Sequence, residues 1–147
     1  MRKTIKVLRL EQRVDYTLRG EFPTAIKSPA DAAAVMKQYI GSDDRETFAI
    51  LLLDTKHKIN WIHPVSTGSL NASIVTPRET FKAAIEANAS AIILSHNHPS
   101  GDTTPSKEDL AITQRLLEAG KIIGIEVLDH VIVAPNNYYS LKEHGHI

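Results

Sequence analysis

The sequence predicts an α/β domain, layered in the α/β or α+β manner, with a mixed β-sheet flanked by helices. Three observations carry this expectation. Segments with helix start and stop chemistry alternate along the chain with short apolar runs, the order expected of a layered sheet-and-helix domain. Hydrophobic residues make up 42% of the 147 residues and charged residues 23%, which allows a real core and argues against disorder. No repeat or low-complexity tract interrupts the pattern, so one domain of ordinary size is expected.

Lys3 to Leu10 alternates loosely and reads as a strand, and Glu11 to Lys27, polar and carrying Gly20 and Pro23, reads as a connector. Together they form an N-terminal segment, 1–27, ahead of a domain over 28–147. Ser28 caps a helix with Pro29 in its first turn and Asp31 three residues after the cap, and the helix stops at Gly41. Phe48 to Leu53 and Lys58 to Val65 pair as a hairpin across the turn Asp54-Thr55-Lys56-His57. Thr76-Pro77-Arg78-Glu79 opens a second helix to about Asn88, and Ala91 to Leu94 is a buried strand. A loop rich in His, Pro, Gly and Ser follows from Ser95 to Thr104. Pro105 then begins a third helix, with Thr104 as its cap and Gly120 as its end. Ile122 to Leu128 and His130 to Val133 read as two strands, Pro135-Asn136-Asn137 as a turn, and Tyr138 to Leu141 as a last short strand.

Composition narrows the function. Lys+Arg and Asp+Glu both number 17, and this zero net charge does not support nucleic acid as a partner. The N-terminal basic residues Arg2, Lys3, Lys6 and Arg9 are followed at once by Glu11 and Asp15. The chain has no cysteine, which excludes disulfides, thiolate metal sites and a cysteine nucleophile. No apolar run suits a membrane span or a signal core, so no membrane partner and a cytoplasmic location are expected.

The chemistry concentrates between Ser95 and Asp109. Imidazoles and a carboxylate are common zinc ligands. His96 and His98, two apart in an extended segment, point to one side and can reach one ion. Pro99, Gly101 and Pro105 turn the chain back, bringing Asp109 in the early helix toward them. Three protein ligands leave a fourth zinc position for water, as in catalytic sites. Glu46, at the head of the Phe48–Leu53 strand, can serve as base if that strand neighbours Ala91–Leu94. Ser106-x-x-Asp109 is also a capping-box pattern, so Asp109 has a rival reading as a helix-start partner of Ser106, but Thr104-Pro105 is the better helix start and frees Asp109 for the metal. Ser95 is a candidate outer partner of a ligand, and Ser100 and Asp102 shape the loop. Asp129 and His130, adjacent on a strand, face opposite sides and do not make a dyad, and His130 reads as a packed or edge histidine. His144 and His146 read as solvated tail residues, and Trp61, Tyr138 and Tyr139 as packing.

The run His96-x-His98-Pro99 with Ser106 and Asp109 downstream resembles the JAMM metalloprotease motif of the JAB/MPN domain. The wider chain, from about Ser28 to Gly145, is similar to the catalytic domain of the RadC family. The resemblance includes Glu46-Thr47-Phe48, Val65-Ser66-Thr67-Gly68, Pro77-Arg78-Glu79 and Leu128-Asp129-His130. It implies a sandwich similar to the cytidine deaminase fold, zinc held by His96, His98 and Asp109, Glu46 as the base acting on zinc-bound water, and Ser106 at the oxyanion. The implied activity is zinc-dependent hydrolysis of peptide or isopeptide bonds, with a peptide or protein substrate. The alternatives are a non-proteolytic RadC-like module in DNA repair or mobile-element biology, and a metal-dependent nuclease. Deamination is not expected, because its signature needs Pro-Cys-x-x-Cys. The helix-hairpin-helix-like module usual at the RadC N-terminus is expected to be missing.

Overall fold

Proline at the first turn and a nearby side-chain oxygen start two helices where the sequence places them. In a computed structural model covering residues 1–147, helix α1 spans Pro29–Ile40 and helix α2 spans Pro77–Glu86. Asp31 Oδ2 accepts the backbone N–H groups of Lys27 and Ser28, and Thr76 Oγ1 accepts that of Glu79, satisfying donors that a helix start leaves free. Strand β1, Thr47–Leu53, and strand β2, Ile59–Thr67, form the expected antiparallel hairpin. Its turn is tied by Asp54 Oδ1, which accepts from the Lys56 and Lys58 N–H groups.

Strands β3 (Ala91–Asn97), β4 (Glu126–Val133) and β5 (Tyr138–Ser140) complete a five-stranded mixed sheet in the order β2-β1-β3-β4-β5. Only β3 and β4 are parallel, and helix α3 (Lys107–Ile123) makes the crossover between them. Every residue of β1 and β3 is buried, which explains why Phe48–Leu53 reads as an unbroken apolar run. Phe48, Ile50, Ile92 and Leu94 pack under α2 and α3 against Phe81, Ile112 and Leu116. Ala49, Leu51, Ile93 and Val131 pack on the other face under α1, against Ala32, Val35 and Met36. The result is the expected α/β sandwich. No helix is long and apolar enough to cross a membrane.

Several boundaries differ from the sequence reading. Lys3–Leu10 forms no ladder and is fully exposed, because alternation alone makes no strand without a neighbour to pair with. The connector joins the sheet's ladder near its end, through an isolated Ala25–Lys58 bridge. Strand β3 runs on to Asn97, so Ser95 and His96 belong to the sheet rather than to the following loop. Helix α3 is capped by Ser106, not Thr104, whose N–H is bound instead to Asp102 Oδ1 in a tight loop turn. It continues past Gly120 to Ile123 and stops at Gly124, whose φ of 86° suits glycine.

The two strands expected around Asp129 are one, β4, with an irregularity. Ile92 pairs with Val127, but Ile93 pairs with Asp129, so Leu128 is an extra residue in the ladder. Such a bulge reverses the alternation beyond it. Val127 therefore joins the α2/α3 face while Val131 and Val133 join the α1 face, and His130 turns toward α3.

Gly120 lies inside α3, where alanine would ordinarily be the better helix former. A methyl carbon there would lie 2.5 Å from the Ile125 carbonyl oxygen and 3.3 Å from Phe81 and Val127. Gly120→Ala is therefore expected to destabilise the protein by about 1–3 kcal/mol, against helix propensity, as measured by urea denaturation.

Candidate metal centre

The sheet delivers the site. The sheet and a side-chain tie bring Glu46 and the histidines together: Phe48 pairs with His96 and the Asn97 side chain accepts the Thr47 N–H, which holds the residue before it, Glu46, near both imidazoles. Glu46, His96 and His98 offer ligand atoms that all lie within 4.8 Å of one another, a group that could hold a metal ion. The adjacency of Phe48–Leu53 to Ala91–Leu94, on which a role for Glu46 depends, is thus present.

Asp109, on the first turn of α3, reaches the same point. His96 Nε2 and His98 Nε2 are 2.9 Å apart, His96 Nε2 is 3.3 Å from Asp109 Oδ1, and His98 Nε2 is 3.4 Å from Asp109 Oδ2. A tetrahedron built from metal–ligand bonds of about 2.0 Å has edges of about 3.3 Å, so this triangle of two imidazoles and one carboxylate suits a zinc-sized cation. His96 and Asp109 are buried, and His98 is nearly so.

The electrostatics point the same way. Burial would raise the Asp109 carboxyl, but the His96 and His98 imidazoles beside it and the Ser106 N–H hold it well below the usual carboxylate range. The same carboxylate raises His98, against the opposing effect of burial and with help from the Asp102 carbonyl. A buried carboxylate that keeps its charge between two imidazoles is a place for a cation.

Outer contacts orient these groups. His98 Nδ1 donates to the Asp102 carbonyl at 2.7 Å, which leaves Nε2 free to face inward. Ser100 and Asp102 hold the loop by bonds to the Asp102 and Thr104 N–H groups. Asp109 does two jobs: Oδ2 accepts the Ser106 N–H at 2.8 Å while its carboxylate faces the histidines. Ser106 Oγ accepts the Asp109 N–H at 3.0 Å, and that bond uses a lone pair and leaves the hydroxyl proton free. Ser106 is exposed at the mouth of the site. Glu46 Oε2 accepts the Leu70 N–H at 3.3 Å, which leaves Oε1 unengaged.

Two residues of the surround, Asn97 and Thr113, escaped the sequence reading, and a third, His130, read there as a packed or edge histidine, is packed. Asn97 is buried, accepting the Thr47 N–H and donating to the Arg45 carbonyl at 2.8 Å, and so fastens the segment that carries Glu46. Asn97→Ala is expected to destabilise the fold by about 1–3 kcal/mol in a denaturation series, since it leaves a buried N–H unpaired. His130 and Thr113 stand directly behind His96 and Asp109. Burial holds His130 well below the usual imidazole range. Ser95, in contrast, bonds the Val131 carbonyl and faces away from the site, and His144 and His146 gather around Tyr139. A cleft of about 600 Å³ lies elsewhere, between Gln12–Leu18 and Trp61 on β2.

Residues 26–146 match the RadC-like JAB domain. The chain belongs to that family. Two relatives carry the name UPF0758 protein: one from Alkaliphilus oremlandii, 56% identical over 140 residues, and one from Alkaliphilus metalliredigens, 52% identical over 139. Each match covers 95% of this chain and 60% of the relative. A UPF0758 protein of Bacillus cereus is 47% identical over 142 residues, covering 97% of this chain and 60% of its own length. The chain thus spans about three fifths of the curated relatives it matches. The RadC-like JAB assignment agrees with the family read from His96-x-His98-Pro99 and Asp109, and the JAB family includes metal-dependent hydrolases.

Proposed function

We propose that this domain is a zinc-dependent hydrolase of peptide or isopeptide bonds, with His96, His98 and Asp109 as the zinc ligands. The observation that carries the reading is the triangle of donor atoms, 2.9–3.4 Å on a side, with the Glu46 carboxylate beside it. A zinc ion held by His96, His98 and Asp109 would supply a Lewis acid for the scissile carbonyl and would lower the pKa of a water there to about 7. Glu46 takes the proton of the attacking water on its unengaged oxygen and passes it to the leaving amine. Ser106 donates its spare proton to the oxygen on which charge develops. Asp102 and the β3 strand keep the histidines aimed, so little reorganisation accompanies the reaction.

The neutral charge and single donor cluster favour this reading over a nuclease, many of which use two metals. The test is to strip the protein with chelator, reload it with zinc, and offer quenched-fluorescent peptides, isopeptide-linked peptides and labelled DNA. One zinc per chain and zinc-restored cleavage of an amide bond is the expected result. Zinc-restored cleavage of DNA alone, or salt-sensitive DNA binding with no hydrolysis, would replace the proposal.

A further inference from the structure

His130 is a fully buried imidazole that the proposed reaction leaves idle. The bulge at Leu128 turns it onto the α3 face, where its two ring nitrogens have different neighbours. Nε2 lies 2.7 Å from His96 Nδ1, and Nδ1 lies 2.5 Å from Thr113 Oγ1. The same hydroxyl lies 2.7 Å from the backbone carbonyl oxygen of Asp109.

Proton counting gives this chain a direction. A carbonyl oxygen only accepts, so the single hydroxyl proton of Thr113 goes to Asp109 and the hydroxyl oxygen accepts from His130 Nδ1–H. Fully buried with no carboxylate against its ring, His130 is a neutral imidazole with one N–H, so its Nε2 is bare and accepts from His96 Nδ1–H. His96 Nε2 is then bare as well, and its lone pair faces Asp109 and His98. A flipped His96 ring would set carbon against His130 and break the series.

We propose that His130 and Thr113 are positioning residues, a relay that sets the tautomer and ring orientation of His96 and ties it to the backbone of Asp109. The inference rests on the zinc reading above. His98 gets the same service from a loop carbonyl, that of Asp102. His96 sits inside the sheet, where the backbone carbonyls are engaged in the strand ladders, so its outer partner is a side chain. The relay joins two of the three zinc donors by a second route: one through its ring, the other through its helix.

Two measurements test this. The first is the nitrogen-15 spectrum of the histidine rings in the zinc-loaded full chain. His130 is expected to be protonated at Nδ1 and bare at Nε2, and the opposite tautomer overturns the relay. The second is zinc affinity by competition with a chromophoric chelator, with the thermal midpoint of each zinc-free protein read alongside. His130→Phe fills the same space without an acceptor and is expected to weaken zinc on the order of 10- to 100-fold. His130→Gln, whose Oε1 can stand where Nε2 stood, is expected to restore most of that loss. Thr113→Val, nearly isosteric, is expected to weaken zinc by a smaller factor, with Thr113→Ser restoring it, and it decides the matter if His130→Phe folds poorly. Zinc bound by the wild type and held within twofold by a folded His130→Phe or by Thr113→Val overturns the relay alone. A wild type that binds no zinc overturns the metal reading and the relay with it.

Discussion

Replacing Asp109 with asparagine is expected to abolish tight zinc binding while the fold stays intact. Outer-shell partners are worth roughly 10- to 100-fold in metal affinity, and loss of a direct ligand is expected to exceed that range. The variant matters because Asp109 carries two loads. Its Oδ2 accepts the Ser106 N–H at the start of α3, and both carboxylate oxygens face the imidazoles. Asparagine keeps an oxygen for the capping contact but loses the charge that binds a cation. Alanine would remove both and confuse a helix-start defect with a lost ligand. The zinc-free Asp109→Asn protein is expected to melt within about 3 °C of the zinc-free wild type, corresponding to a change near 1 kcal/mol. Equilibrium dialysis with elemental analysis reads the metal, and thermal denaturation reads the fold. One zinc retained per folded Asp109→Asn chain would remove Asp109 from the ligand set.

That double load shows where local pattern was and was not a sufficient guide. Capping and ligation look like rivals for Asp109 in the sequence, because Ser106-x-x-Asp109 satisfies a capping box. A carboxylate has about four acceptor positions, so one group serves both. The helix start itself was misplaced by two residues because Thr104 is drawn into the Asp102 turn, a loop contact that helix-start rules do not see. His96 and His98 were legible because i and i+2 share a face in any extended segment. The same alternation sends Ser95 to the opposite face, where it bonds Val131 and not a ligand. His130 was not legible as a partner of His96. Its direction depends on the Leu128 bulge, and its neighbourhood depends on a parallel pairing across the α3 crossover. Lys3–Leu10 failed in the other direction: an alternating pattern was read as a strand, but no edge pairs with it.

Glu46→Gln is expected to lower amide-bond cleavage by about 10²- to 10⁴-fold and to leave one zinc per chain. Two roles compete for Glu46, since its carboxylate lies within the same 4.8 Å group as the two histidine nitrogens. As a ligand it would take the metal with it when replaced. As a base it would not, because His96, His98 and Asp109 already close a triangle without it. Glutamine separates the two. It keeps the length of the side chain and an oxygen for the Leu70 N–H, so the loop after β2 has no reason to move. It cannot accept a proton from water at neutral pH or return one to a leaving amine. Cleavage of whichever peptide or isopeptide substrate the wild type accepts is measured on the zinc-loaded variant, with metal content taken on the same sample. Zinc lost together with activity would make Glu46 a ligand. Zinc retained with full activity would take it out of the reaction and leave proton transfer to another group at the mouth of the site.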